Sequence, residues 1–195
     1  MNHVALSTRF PHLSRGVRWR NTALTGARVV NGIPDTTRLQ SVNMVPFVGG
    51  DVLVITLENG HIMLPGGTRE HGESLFETIS REMREETGHA VDSCFPFLVM
   101  ECVSFDPTPW RPWMTHPEFE RLVCLGQARH VGEPENPPDA EQIAHVHVMA
   151  PDEAVRFLHD AGRPELGDVY AFASEMRHRT EALIDLAVED IPFSR

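Results

Sequence analysis

Between Leu64 and Gly88 the chain reads LPGGTREHGESLFETISREMREETG, a glycine turn followed by a helix that ends in acids. Ser74-Leu75-Phe76-Glu77 has the form of a capping box. Leu75, Phe76, Ile79 and Met83 supply an apolar stripe and Thr87-Gly88 a stop, so the spacing predicts a helix over 74–86. At about 100° per residue, with Glu82 set at zero, Glu86 falls at about 40° and Glu85 at about 300°. Three carboxylates therefore share one face of the last two turns, beside the apolar stripe. Each like-charged neighbour costs roughly 0.2–0.5 kcal/mol, and acids at a helix C-terminus also oppose its dipole. A salt-bridged surface is the plain explanation, with Arg84 nearby and Arg81 four residues from both Glu77 and Glu85. It leaves the turn Pro65-Gly66-Gly67 unexplained. A hard cation such as magnesium takes oxygen ligands in near-octahedral geometry, and two or three carboxylates with a carbonyl from a glycine turn would meet that need.

Around this stretch the chain alternates strand and helix signals. Three short apolar runs, VNMVPFV, DVLVITL and HIML, lie between Val42 and Leu64, and the Asn59-Gly60 pair between two of them is a strong hairpin signal. Residues 97–105, 121–128 and 143–149 read as strands. Pro151 opens a short helix over 152–158, and Val169, Phe172, Met176, Leu183 and Ala187 have the spacing of a longer one. Residues 1–40 are polar and interrupted by Pro11, Gly16, Gly26, Gly32 and Pro34, an arm with one short strand near 27–30. Six arginines against Asp35 give the arm a charge of +5, whereas the remainder, with 11 arginines and 27 acids, carries −16. The arm reads either as a basic flap over an anionic substrate or as a segment that pairs with the sheet or a second subunit. Strands interleaved with helices predict a mixed sheet between helical layers.

All 17 basic residues are arginine. Without lysine there is no Schiff-base catalysis, no P-loop phosphate lysine and no protein-kinase strand lysine. A net charge of −11 argues against a stable nucleic-acid complex. No apolar run approaches the roughly 20 residues of a membrane span, and no secretory signal is evident, so a soluble, cytoplasmic protein is expected. Cys94, Cys102 and Cys124 are expected to be core thiols rather than a disulfide or metal set. His145 and His147, in an alternating run, are read as a strand face rather than a zinc pair.

The acidic stretch resembles the Nudix box, G-x5-E-x7-R-E-U-x-E-E-x-G-U with U apolar, through Gly67, Glu73, Arg81, Glu82, Met83, Glu85, Glu86 and Gly88. Seven fixed positions at about 7% each coincide by chance in about one window in 10⁸. His89 departs from the pattern, standing where an apolar residue is expected. The resemblance implies an α/β fold, the Nudix-type α/β/α sandwich with a mixed sheet. Residues 41–160 would form that domain, 1–40 an N-terminal arm and 161–195 a C-terminal helical extension packed on it. It further implies that Glu82, Glu85 and Glu86, with the Gly66 carbonyl, bind Mg2+ or Mn2+, and that Glu73 and Arg81 orient the ligands through an ion pair. A later loop often adds an acid in this family. Glu141 is the candidate here, with Asp139 and Glu135 behind it.

Such an enzyme would break a phosphate-phosphate linkage in a nucleotide or another pyrophosphate, with Glu82 or the loop acid taking the proton of the attacking water. Nucleoside triphosphates are the first expectation among nucleoside diphosphate derivatives. Trp110 and Trp113, in the loop DPTPWRPWMTHPEFE, are candidate stacking partners for a base, or equally a cover for the core or a dimer interface. Phe47 and Phe105 are read as core. The rival functional reading is a non-catalytic nucleotide-binding or regulatory module on the same fold, which the intact glutamate set disfavours.

Overall fold

A strand buried at successive positions must be covered on both faces, and Leu39–Val48 (β3) is such a strand, buried continuously from Ser41 to Phe47. The structure, a computed structural model, describes residues 3–14, 17–19, 21–34, 37–138 and 140–187. In chain order they form α1 (His3–Arg9), a 3-10 turn at Pro11–Ser14, β1 (Arg18–Trp19) and β2 (Thr22–Val29). There follow β3, β4 (Asp51–Leu57), β5 (Ile62–Met63), β6 (Gly66–Thr68) and α2 (Leu75–Thr87). The chain continues through β7 (His89–Val91), β8 (Phe95–Ser104), β9 (Glu118–His130), β10 (Ile143–Met149), α3 (Pro151–Asp160) and α4 (Pro164–Ala187). The strands make one mixed sheet in the order β1-β2-β8-β9-β3-β4-β10, with β5, β6 and β7 attached to β4, β3 and β9. The pairing of β3 with β9 is parallel.

Alternation along β3 sends its side chains into two cores. Val42 and Met44 meet Leu122, Cys124 and the α2 residues Ile79 and Met83. Val45 and Phe47 meet Val123 and Leu125 under α3 and α4, which contribute Leu158, Val169, Tyr170 and Phe172. The result is the expected α/β/α sandwich. Among the described residues, no helix is long and apolar enough to cross a membrane.

The segment before Gln40 is more ordered than its composition foretells. Rather than one short strand near 27–30, it gives the eight-residue β2, paired antiparallel with β8, and it buries Leu6, Phe10 and Leu13 in the α4 core. Those of its arginines that are described are taken up. Arg9 pairs with Glu175 at 2.6 Å, Arg28 with Glu120 and Arg38 with Glu118 both at 3.2 Å, and Arg18 stacks on Phe105. Phe105 is therefore not core but exposed, whereas Phe47 is buried. Phe76 also departs from expectation: it is 46% exposed, and Thr78 takes the inward position beside Ile79. Of the apolar positions predicted for the last helix, Val169 and Phe172 are buried, Met176 is partly so, and the side chains of Leu183 and Ala187 lie outside those described. The three cysteines are free, with Cys102 and Cys124 buried.

Tyr170, the single tyrosine, is fully buried in α4 and donates its hydroxyl to the Leu53 carbonyl at 2.6 Å, tying helix to sheet. Tyr170→Phe leaves that carbonyl without this donor, so a loss of about 1–3 kcal/mol is expected in urea unfolding. An unchanged midpoint would show that the bond contributes nothing.

Candidate active site

The glycine turn and the acidic helix are built into each other. Gly66 has φ 120°, and a Cβ there would strike the Val42 carbonyl and lie 2.7 Å from Asn43 Cα, so the turn can press against β3 only as glycine. Its backbone N–H donates to Glu86 Oε2 at 2.7 Å. A Cβ on Gly67 would fall 2.6 Å from the carboxyl carbon of Glu82 and 2.9 Å from Oε2, so this second glycine clears the space that the carboxylate occupies. The helix starts where the capping box predicts. Ser74 Oγ accepts from the Glu77 N–H, and Glu77 Oε2 accepts from the Ser74 N–H at 2.8 Å, which commits Glu77 to the cap and leaves Arg81 to other partners.

Arg81 is the hub. Nε donates to Glu73 Oε1 at 2.8 Å and NH2 to Glu73 Oε2 at 3.1 Å, a bidentate fork. NH1 reaches both Glu82 Oε1 at 2.9 Å and Glu85 Oε2 at 3.2 Å. These contacts leave Arg81 strongly protonated and hold the Glu73 carboxyl down at about 2, through the Arg81 hydrogen bond first and the Glu70 N–H and Thr78 hydroxyl after it. Glu82 shifts the other way, because burial outweighs Arg81. Glu86, in the turn's interior, is pushed up to about 8. Burial is the main cause and the charges of Glu82, Glu141 and Glu85 add to it, against the Gly66 N–H. Three of the box glutamates thus share one arginine, and the fourth has a backbone amide.

The far end of α2 gathers a second loop. Gly88 closes the helix in the left-handed conformation at φ 67°, and its carbonyl accepts from the N–H groups of Val131 and Gly132. The Asn136 N–H donates to the Glu85 carbonyl at 3.1 Å, while the Asn136 side chain brackets the Ile143 backbone. The proline-rich segment 131–142 is thereby folded back onto the helix end, and Glu141 comes close enough for its charge to act on Glu86. Glu135 is exposed and Asp139 lies outside the described residues. His89 keeps its place by being buried. Burial lowers its pKa, and Nδ1 lies 2.7 Å from the Thr87 carbonyl.

Residues 37–171 match the sequence profile of the NUDIX domain, and the glutamates, their arginine and the glycine turn all fall within that span. The chain belongs to the NUDIX family. Its fold resembles that of the Bacillus subtilis pyrophosphohydrolase BsRppH, at 16% identity over 73% of this chain and 89% of that one with a TM-score of 0.51. It also resembles an ADP compounds hydrolase, at 15% identity over 85% of this chain and 90% of that one, again with a TM-score of 0.51. Identities this low speak for shared architecture alone. No curated protein matches the chain.

In this NUDIX domain the two tryptophans are placed differently. Trp113 meets His71, in the loop leading to Glu73, edge-on at 5.6 Å; Trp110 is 79% exposed and has Arg111 beside it. Three contributors went unread in the sequence. Thr78 donates to Glu73 Oε2 at 2.9 Å, Arg69 donates to the Glu73 carbonyl at 2.8 Å, and Arg121 of β9 has its charge buried within the influence of Glu141. Thr78 could have been found as a polar residue on the inward stripe of α2. An arginine within an apolar strand is the corresponding signal for Arg121.

Proposed function

We propose that this NUDIX chain hydrolyses a phosphoanhydride bond in a nucleoside diphosphate-linked small molecule, with nucleoside triphosphates the first class to test, and that Mg2+ or Mn2+ is its cofactor. The observation that carries the reading is the placing of the Glu82 and Glu86 carboxyls against the Gly66-Gly67 turn, with Glu85 joined to Glu82 through Arg81. Arg81 forms no bond to Glu86, whose carboxyl is the most deeply buried of the set. An all-oxygen donor set with more negative charge than its arginine can balance fits a hard divalent cation. Glu82, Glu85 and Glu86, with the Gly66 carbonyl, would hold it. When bound, it offsets charge on the phosphate oxygens and on the leaving group.

The remaining work falls to the chain's own groups. The Glu73–Arg81 fork fixes the guanidinium, and the guanidinium fixes Glu82 and Glu85. A carboxylate, that of Glu82 or of Glu141, accepts a proton as the water oxygen adds to phosphorus and the bridging P–O bond breaks. Trp113, and Trp110 beyond it, offer faces for a base. Residues 41–160 serve as the hydrolase unit, with 1–40 an N-terminal arm and 161–195 a C-terminal helical extension.

A screen of nucleotides and pyrophosphates with magnesium and with manganese, reading phosphate and pyrophosphate release separately, tests this. Metal-dependent release supports it; thermal stabilisation by nucleotides without turnover anywhere in the panel would replace it with the non-catalytic reading. A pH dependence follows as well. The Glu86 pKa is raised, so in the metal-free protein its contribution to stability is fully present below pH 4.5 and is lost as pH rises towards about 8. A cation that binds the ionised carboxyl competes with its proton. The rise in Tm on adding magnesium is therefore expected to grow from pH 5 to pH 8, and a constant or shrinking rise would contradict it.

A further inference from the structure

We propose that His12, His159 and Asp168 form a second metal site, for zinc or a similar borderline transition-metal ion, in the helical layer on the opposite side of the sheet from α2. The three residues come from separate elements: His12 from the 3-10 turn, His159 from the last turn of α3 and Asp168 from the first turns of α4. One ligand atom from each lies within 4.8 Å of the others.

The arrangement centres on the Asp168 carboxylate, which is 10% exposed. The His12 backbone N–H donates to Oδ2 at 2.8 Å and fixes its direction. His12 Nδ1 stands 3.1 Å from the same oxygen, a separation that suits a hydrogen bond or the edge of a metal tetrahedron, since bonds of about 2.0–2.1 Å put tetrahedral ligands about 3.3 Å apart. His159 separates the two interpretations. Its Nε2 is 4.0 Å from the other oxygen, Oδ1, too far for a hydrogen bond yet beside the same carboxylate. The two imidazoles meet edge to face, centroids 5.5 Å apart. Gly167 makes this possible, because a Cβ there would lie 2.6 Å from His159 Nε2. A His12–Asp168 hydrogen bond alone gives no reason for the second imidazole. An ion shared by all three does, with a small rotation of the half-exposed His159 closing the set.

Two imidazole nitrogens and one carboxylate oxygen suit zinc and leave a fourth position for water, whereas the oxygen-only set on α2 suits magnesium. The ion would pin the N-terminal segment to the α3–α4 hairpin, which is a stapling role remote from the glutamates. It does not depend on the hydrolase reading.

The test is competition for Zn2+ between the full-length chain and a chromophoric chelator, with millimolar magnesium present to occupy the acids on α2. One zinc per chain is expected. Affinity should fall by at least about tenfold in His159→Gln and in Asp168→Asn. It should hold in the double variants Glu82→Gln/Glu86→Gln and His145→Gln/His147→Gln. Because the His159 side chain is 39% exposed, His159→Gln is expected to fold, which its zinc-free Tm verifies. In the parent chain zinc should raise Tm, and His159→Gln should abolish that rise. Failure of the parent chain to compete for zinc, or parental affinity in His159→Gln, would overturn the site.

Discussion

Glu82→Gln is expected to reduce magnesium-dependent turnover by about 10²–10⁴-fold, the range associated with loss of a positioned proton acceptor. Glutamine preserves the shape and one acceptor for Arg81 NH1, which now bonds Oε1 at 2.9 Å, but it removes the charge. Burial already raises the Glu82 pKa, so its ionised form is an expense to the folded state near neutral pH. The variant should therefore be at least as stable as the parent without metal, which separates a lost role in chemistry from a lost fold. Steady-state rates beside thermal unfolding read both, and a near-parental rate in a folded variant removes Glu82 from its assigned role.

The second large effect is structural. Gly66→Ala forces a side chain onto a residue at φ 120° whose Cβ would meet the Val42 carbonyl and Asn43 Cα, both backbone groups in the central strand. Neither can yield cheaply. A loss of about 3 kcal/mol or more is expected, which for a chain of this length lowers Tm by roughly 6–12 °C. The same shift moves the N–H that aims Glu86, so the magnesium-induced rise in Tm should shrink too. Calorimetry with and without magnesium checks both, and a Tm within about 2 °C of the parent would show that the turn relaxes freely.

What could be read in advance, and what could not, follows from the range of the forces involved. The capping box at Ser74, the Gly88 stop and the shared face of Glu82, Glu85 and Glu86 are set by residues within a few positions of one another, and each has its counterpart in α2. The strand at 143–149 was equally legible, since its alternation is local. By contrast, β2 reads in sequence as an arm with one short strand near 27–30, because its full strand character depends on β8, roughly 70–80 residues away, as a partner. Helical spacing places Phe76 inward because it does not say where the stripe's edge falls, and the structure gives that edge to Thr78. The Arg81 fork is foreseeable only as a pairing, because it is the fold that brings Glu73, Glu82 and Glu85 to one guanidinium. His12, His159 and Asp168 had no local signature, because the fold alone makes them neighbours.

The place of β2 also bears on how the protein can be cut. The residues that match the family begin at 37, so a fragment trimmed to that boundary would discard β2 together with Leu6, Phe10 and Leu13. What remained would carry β8 with a bare row of amides and carbonyls along Leu98–Ser104, next to apolar surface meant to be covered. Such an edge is a template for strands from other molecules. The trimmed fragment should therefore be prone to aggregate even with every glutamate of the box in place.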